Sequence, residues 1–244
     1  MKILILILIW LTTIIDKTTL RSLFLTLFGV LFIAVSANAQ VTTEGRDFWF
    51  GFMDNASAES IEIYISAERT TSVTIQAPLD AFNVTVTVDP GVSKKVVLPL
   101  NLMPTDEGKH GYGIHVTSDN PISLYALNKR QFSADAAVIL PTPALGNEYY
   151  VVAHMEPPGD IVESSRESEF LVAASEDGTQ IEITPTGNTY NGWLKGIPQT
   201  IELNAGETYL VKSDEDLSGS YVRTVSQNSA ECKNIAVFGG NVFT

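Results

Sequence analysis

Three histidines, one cysteine and two acidic turns are the residues of this chain whose types could carry chemistry. His110 and His115 stand five apart in "HGYGIH", so on a straight strand they point to opposite faces. His154 lies far along the chain and a single cysteine is available to help, so no zinc-ligand spacing forms. All three histidines read as satisfied or solvated side chains. "SEDGT" (175–179) and "SDEDLSG" (213–219) gather oxygen atoms of the kind Ca²⁺ accepts. Neither has the alternating ligand positions and closing glutamate of an EF-hand loop, so both read as solvated turns and no metal is expected. The G-x-S-x-G elbow of a nucleophilic serine is missing, although a Ser-His-Asp arrangement assembled in space stays open. "GYG" and "GG" are too short to cradle phosphate, and no G-x-x-x-x-G-K-[ST] occurs. Glycoside cleavage needs two carboxylates roughly 5–9.5 Å apart across a groove. An acidic chain offers many such pairs and the sequence singles out none. No catalytic residue and no cofactor are predicted. "NAS" (55–57) and "NVT" (83–85) fit the N-glycosylation triplet.

The first forty residues read as targeting. Residues 1–15 are an apolar run behind Lys2, interrupted by Asp16, Lys17 and Arg21; residues 23–35 are a second run, ending in Ser36-Ala37-Asn38-Ala39-Gln40. Small residues at 37 and 39 are the spacing signal peptidase reads, which places cleavage between Ala39 and Gln40. Each run is shorter than the ~20 apolar residues that span a bilayer. The double run fits either a start downstream of Met1 or an extended n-region, and an uncleaved anchor is the alternative to cleavage. Membrane contact is expected only through this leader, and the protein is expected to be secreted or at the cell surface. Without the leader the chain holds 12 basic and 27 acidic residues, a net charge of −15. Phosphate backbones need concentrated positive charge, so nucleic acid is excluded as a partner. In an exported chain the lone Cys232 is a disulfide candidate. Its partner is expected beyond Thr244, because "GGNVFT" stops as if inside a strand; a buried free thiol fits equally well.

The elements that must position these residues are strands. "SIEIYIS" sets Ile61, Ile63 and Ile65 against Glu62 and Tyr64, and "NVTVTVD" sets Val84, Val86 and Val88 against Thr85 and Thr87. "QIEIT" and "TIELN" repeat the period of two that marks a half-buried strand. "DPG" (89–91), "DNP" (119–121), "EDGT" (176–179) and "NAGE" (204–207) supply turns. Strands recurring every eight to twelve residues without crossover helices predict an all-β, antiparallel, sandwich-like fold.

Three stretches recur in order. "TSVTIQAP" (71–78) resembles "TQIEITPT" (179–186), "VTVDPGVSKKVVL" (86–98) resembles "IELNAGETYLVKS" (201–213), and "GIHVTSDNPISLYALN" (113–128) resembles "VRTVSQNSAECKNIAVFGG" (222–240). Two tandem related β modules account for this, chance likeness of strand–turn–strand patterns being the alternative. The expected organisation is a signal peptide over 1–39, a first module over 40–153, an exposed connecting loop over 154–167, and a second module over 168–244, truncated at its end. Between the modules a covered strand, a connector bent by Pro141 and Pro143, and a strand over 149–153 are predicted. In "GRDFWFGFMDN" (45–55), Phe48, Phe50 and Phe52 share one face while Trp49, Gly51 and Met53 share the other. A strand apolar on both faces is buried on both, so a core strand is preferred to a sticky binding edge.

"GRDFWFGFMDN", "SADAAVILPTPALGNEYYVV", "SEFLVAASEDGTQIEITPTG", "LNAGETYLV" and "DLSGSYV", in this order, resemble the N-terminal domain of the IgG-Fc-binding protein family. The resemblance covers roughly residues 45–244, and a leader ending in "ANAQ" is similar to those of its Bacteroidetes-type bacterial members. It implies an extracellular, non-catalytic adhesion or recognition module, with a glycoprotein or glycan as ligand. It assigns no residue to Fc binding. The loop at 156–167 and the Lys129-Arg130-Gln131-Phe132 turn are the expected contacts. A secreted carbohydrate-active enzyme on a β scaffold, or a structural spacer of a large surface protein, are the competing readings.

Overall fold

The computed structural model describes residues 42–131, 134–155, 167–225 and 233–243. The leader with its Ala39–Gln40 junction, Phe132, residues 156–166 and Cys232 lie outside the described residues. Thr42–Thr244 form one compact unit.

Alternating side chains become antiparallel strands throughout. In chain order they are β1 (Glu44–Phe50), β2 (Ser60–Ala67), β3 (Thr71–Ala77), β4 (Phe82–Val88), β5 (Lys94–Leu98), β6 (Gly108–His110), β7 (Ile114–Lys129), β8 (Ala134–Ile139), β9 (Glu148–Tyr150), β10 (Ser168–Ala174), β11 (Thr179–Thr184), β12 (Gln199–Leu203), β13 (Thr208–Ser213), β14 (Tyr221–Thr224) and β15 (Ile235–Asn241). Short 3-10 turns at Leu100–Leu102 and Thr142–Ala144 interrupt them.

The strands pair by one scheme used twice. Among β1–β8, β3 lies between β4 and β7, and β2 lies between β5 and β7. Among β10–β15, β11 lies between β12 and β14, and β10 lies between β13 and β15. The first two matched stretches of the sequence fall on equivalent strands, β3 with β11 and β4–β5 with β12–β13. The third falls on β7, which pairs with both β3 and β2 within one sheet, where β14 and β15 divide the corresponding pairings between two sheets. β1 flanks β7 as β9 flanks β14. Two short strands link the halves: β6 joins the sheet of β10 by pairing with β13, and β9 joins that of β11 by pairing with β14, although both precede residue 153.

"DNP" at 119–121 is a correction to the expected turns: β7 runs through it without reversing. The proline costs nothing there, because β7 changes neighbours at this point. Residues 115–118 pair with β3 and residues 122–129 with β2, and β1 skips 118–121 through an irregularity between Gly45 and Asp47. A missing N–H is harmless where no ladder bond is due. β8 is a second correction. The sequence predicts a covered strand here, yet Ala134–Val138 are exposed and only Ile139 is buried, since among the described residues β8 is an edge strand paired with β7 alone. The strand expected over 149–153 is shorter: Val151 instead binds the turn before β14, its N–H to Ser220 O at 2.9 Å.

Two sandwich cores result. Phe48 and Phe50 are fully buried and Phe52 nearly so, packed with Ile61, Ile63, Ile65, Ile114 and Leu124. Trp49, on the other face of β1, is half-buried and stacks on His115 at 4.0 Å. The opening stretch is therefore a core strand. The second core holds Phe170, Val172, Ile181, Ile183, Val211 and Val222. A smaller cluster of Leu171, Ala173, Leu210 and Ala236 covers the opposite face of the β10 sheet, and Met53, Leu145 and Phe238 pack on it. Every residue of β10 is buried as a result.

Candidate recognition surface

The expected chemistry-bearing residues are mostly tied into structure. His115 bonds Asp47 Oδ2 at 2.8 Å and Gln76 at 3.3 Å, while His110 bonds Asp106 O at 3.0 Å and stacks on Tyr112. His154 contributes its backbone, its N–H reaching Gly240 O. The acidic stretch 175–179 faces the 204–207 turn: Asp177 accepts the Ala205 N–H at 3.0 Å, and the Gly178 N–H donates to Asn204 Oδ1 at 2.9 Å. In the other, Asp214, Glu215 and Asp216 accept from Tyr190, Asn188 and the Ser218 N–H. Among the described residues no three His, Cys, Asp or Glu side chains gather as a metal site.

The expected contact segments divide. Of the Lys129–Gln131 turn, Arg130 folds back over the Phe243 ring at 3.5 Å, an internal cation–π contact. Of the loop at 156–167, only Glu167 is described, and it pairs with Lys212 at 2.8 Å. Neither presents an outward-facing recognition group among the described residues, save the exposed Lys129 and Gln131.

A different segment does. Residues 185–198, "PTGNTYNGWLKGIP", join β11 to β12. Hairpin loops usually take two to five residues, so this one is long, and it is ordered by two tight turns. The first closes with the Gly192 N–H on Thr189 O at 3.0 Å, the second with the Ile197 N–H on Leu194 O at 3.1 Å. Gly192 and Gly196 sit at φ +83° and +72°, where glycine avoids the Cβ clash. Trp193 stacks on Tyr209 at 5.2 Å and 11° and packs on the second core. Asn191 donates its N–H to Glu107 Oε2 at 2.9 Å, and the Tyr190 hydroxyl donates to Asp214 Oδ1 at 2.8 Å. Burial pushes the Glu107 carboxyl above its ordinary range despite the Asn191 N–H. Burial first, then the Asp214 and Glu167 carboxylates, push the Tyr190 phenol up, so it stays a hydrogen-bond donor.

With its base pinned in this way, the loop points apolar groups at water. Leu194 is 62% exposed, Ile197 51% and Tyr190 48%. Exposed apolar groups held on a rigid frame are the usual make-up of an interaction site. A second group lies on β9, just after it, and on β14. Tyr150 and Val152 are 72% and 83% exposed, and the Tyr150 ring lies 5.0 Å from Tyr221. Arg223 stands beside Tyr221 and pairs with Glu182 at 2.8 Å.

Residues 135–244 match the family described as IgGFc binding protein. The human IgGFc-binding protein is 30% identical over 200 residues, which cover 78% of this chain and 4% of that protein. The chain belongs to the IgGFc-binding protein family. It spans about 4% of the length of this human relative. Both exposed groups, the loop at 185–198 and the Tyr150–Tyr221 pair, fall inside the residues the IgGFc-binding family model matches.

Sequence reading missed the loop. Its signal was present: fourteen residues between two alternating runs, with Tyr190, Trp193, Leu194 and Ile197 set among Gly and Asn. A solvated connection has no use for so many apolar groups.

Proposed function

We propose that this chain is a non-catalytic, extracellular binding module that takes a protein or glycoprotein partner through the loop at 185–198. The observation that carries this reading is the exposed Leu194–Ile197 tip on a base fixed by Trp193, Asn191 and Tyr190. Preorganised apolar tips bind well because little loop entropy is lost on contact. The human relative's name points to immunoglobulin Fc, which becomes one candidate partner among secreted glycoproteins. Export through the leader cleaved after Ala39 fits this reading, and no helix among the described residues is long and apolar enough to cross a membrane.

The glycosidase alternative gains little from the geometry. The cavity that gathers Asp54, Asp135 and Glu169 encloses about 60 Å³, well below the ~300 Å³ at which small-molecule sites begin. A spacer would leave the apolar tip without a task.

The test is surface plasmon resonance of the chain from Gln40 against purified secreted glycoproteins, Fc fragment included. Saturable binding of at least one at micromolar concentration is expected. Flat responses across the panel would overturn the reading.

A further inference from the structure

Glu169 is the second residue of β10 and is fully buried. Its cross-strand neighbour on β13 is Lys212. An ammonium group has three N–H donors. Lys212 directs its own to Asp54 Oδ2 at 2.9 Å, Glu167 Oε2 at 2.8 Å and Thr105 O at 3.1 Å. None is left for Glu169, and both of its carboxyl oxygens are buried without a hydrogen-bond partner among the described residues. A buried carboxylate in this position is costly unless something pairs with it.

Glu169 lines a cavity of about 60 Å³ between the end of β1, β7, β8 and β15. Phe52, Ile139 and Phe238 form apolar walls, and Asp54 and Asp135 are the other two acids. Asp135 and Ala137 of the edge strand β8 are exposed and mark the mouth. We propose that this cavity binds the cationic end of a lysine or arginine side chain presented by a protein partner. The apolar walls take the methylene stem while the carboxyls take the charge, the division that long cationic side chains favour. The volume holds the tip of such a chain and not a sugar ring. A hard dication would need six or more oxygens, and Asp54 is already committed to Lys212. A cationic side chain also fits the acidic balance of the chain, 28 acidic against 15 basic residues.

Burial, then the Asp54 and Glu167 charges, hold the Glu169 carboxyl well above its ordinary range, with Lys212 opposing only in part. Burial thus disfavours the charged form of Glu169 in the empty cavity, and a bound cation favours it, so any proton it gives up on binding leaves to solvent. Binding strengthens as pH rises.

The source of the side chain rests on the binding-module reading, whereas the cavity's affinity for a cation does not. Ethylammonium and ethylguanidinium chloride are titrated calorimetrically into the chain from Gln40, in two buffers of different ionisation enthalpy. Ligands of so few atoms give dissociation constants in the millimolar range. Saturable binding with release of protons is expected, and tetraethylammonium, too large for a cavity of about 60 Å³, leaves no signal. Glu169→Gln keeps the shape of the side chain and lowers affinity at least tenfold; Asp135→Asn, at the exposed mouth, lowers it about threefold. Unsaturable heats, or equal affinity in wild type and Glu169→Gln, overturn the proposal. Cation binding without glycoprotein binding sinks only the loop reading, and the converse sinks only this one.

Discussion

At the scale of single residues, burial and hydrogen-bond supply decide what each side chain can do. Phe48 and Phe50 are fully enclosed by the first core. Truncating either leaves a cavity, and Phe50→Ala is expected to lower unfolding free energy by about 3–5 kcal/mol, read from urea denaturation. Glu169 works in the opposite sense. Its folded pKa lies well above the ordinary value of 4.5, so between those two values the folded state holds a proton that the unfolded chain has released. Stability is full below the ordinary value and falls as pH rises through that window. Glu169→Gln is expected to remove this slope and to be more stable than wild type at pH 8, measured by urea melts from pH 4 to 8. A wild-type curve that rises over that range while the variant's stays flat would show the carboxyl to be paired. Such residues were partly legible. Phe48, Phe50 and Phe52 announce their burial by alternation. Glu169 and Lys212 do not announce theirs, because Lys212 finds Asp54 and Thr105 158 and 107 residues away in sequence. A charged pair inside the apolar runs "SEFLVAA" and "TYLVKS" was the one local sign.

At the scale of elements, period-two alternation located the long strands, and it failed where a strand is too short to alternate. β6 and β9 have three residues each and owe their existence to the edges of β13 and β14. The turn expected at "DNP" failed for a related reason: proline marks a missing ladder bond, and a change of neighbours satisfies that as well as a reversal does. The segment around 146–154 closes along β15, with the Ile235 N–H on Gly146 O at 2.9 Å. A Cβ on Gly239 would stand 2.2 Å from Val152 O. Gly239→Ala must push the two backbones apart, at a cost of about 1–3 kcal/mol. Faster amide exchange at Ile235 and His154 is expected alongside it, and unchanged exchange there would show that the contact is not tight.

At the scale of the whole molecule, one pairing scheme appears twice and the two copies are sewn together. β10 is buried on both faces, with Met53 and Leu145 closing the second, and β6 and β9 complete sheets built mainly from β10–β15. Unfolding is therefore expected as a single transition, with near-UV and far-UV circular dichroism coincident in guanidine. Two separated transitions would mean that the copies stand alone. Two of the three matched stretches fall on strands with like pairings, β3 with β11 and β4–β5 with β12–β13, while the third falls on the single strand β7 against the two strands β14 and β15. The sharing of β6 and β9 was not legible in the sequence, because pairing between distant edges leaves no mark on composition. Against this rigid frame the loop at 185–198 faces outward with apolar groups, as Tyr150 and Val152 do. The most direct measurement is glycoprotein binding by the double variant Leu194→Ser/Ile197→Ser, with its melting temperature recorded beside it. The account predicts a melting temperature within a few degrees of wild type, since exposed tips contribute about 0.5 kcal/mol or less, and at least tenfold weaker binding. Binding equal to wild type by a fully folded double variant would contradict it.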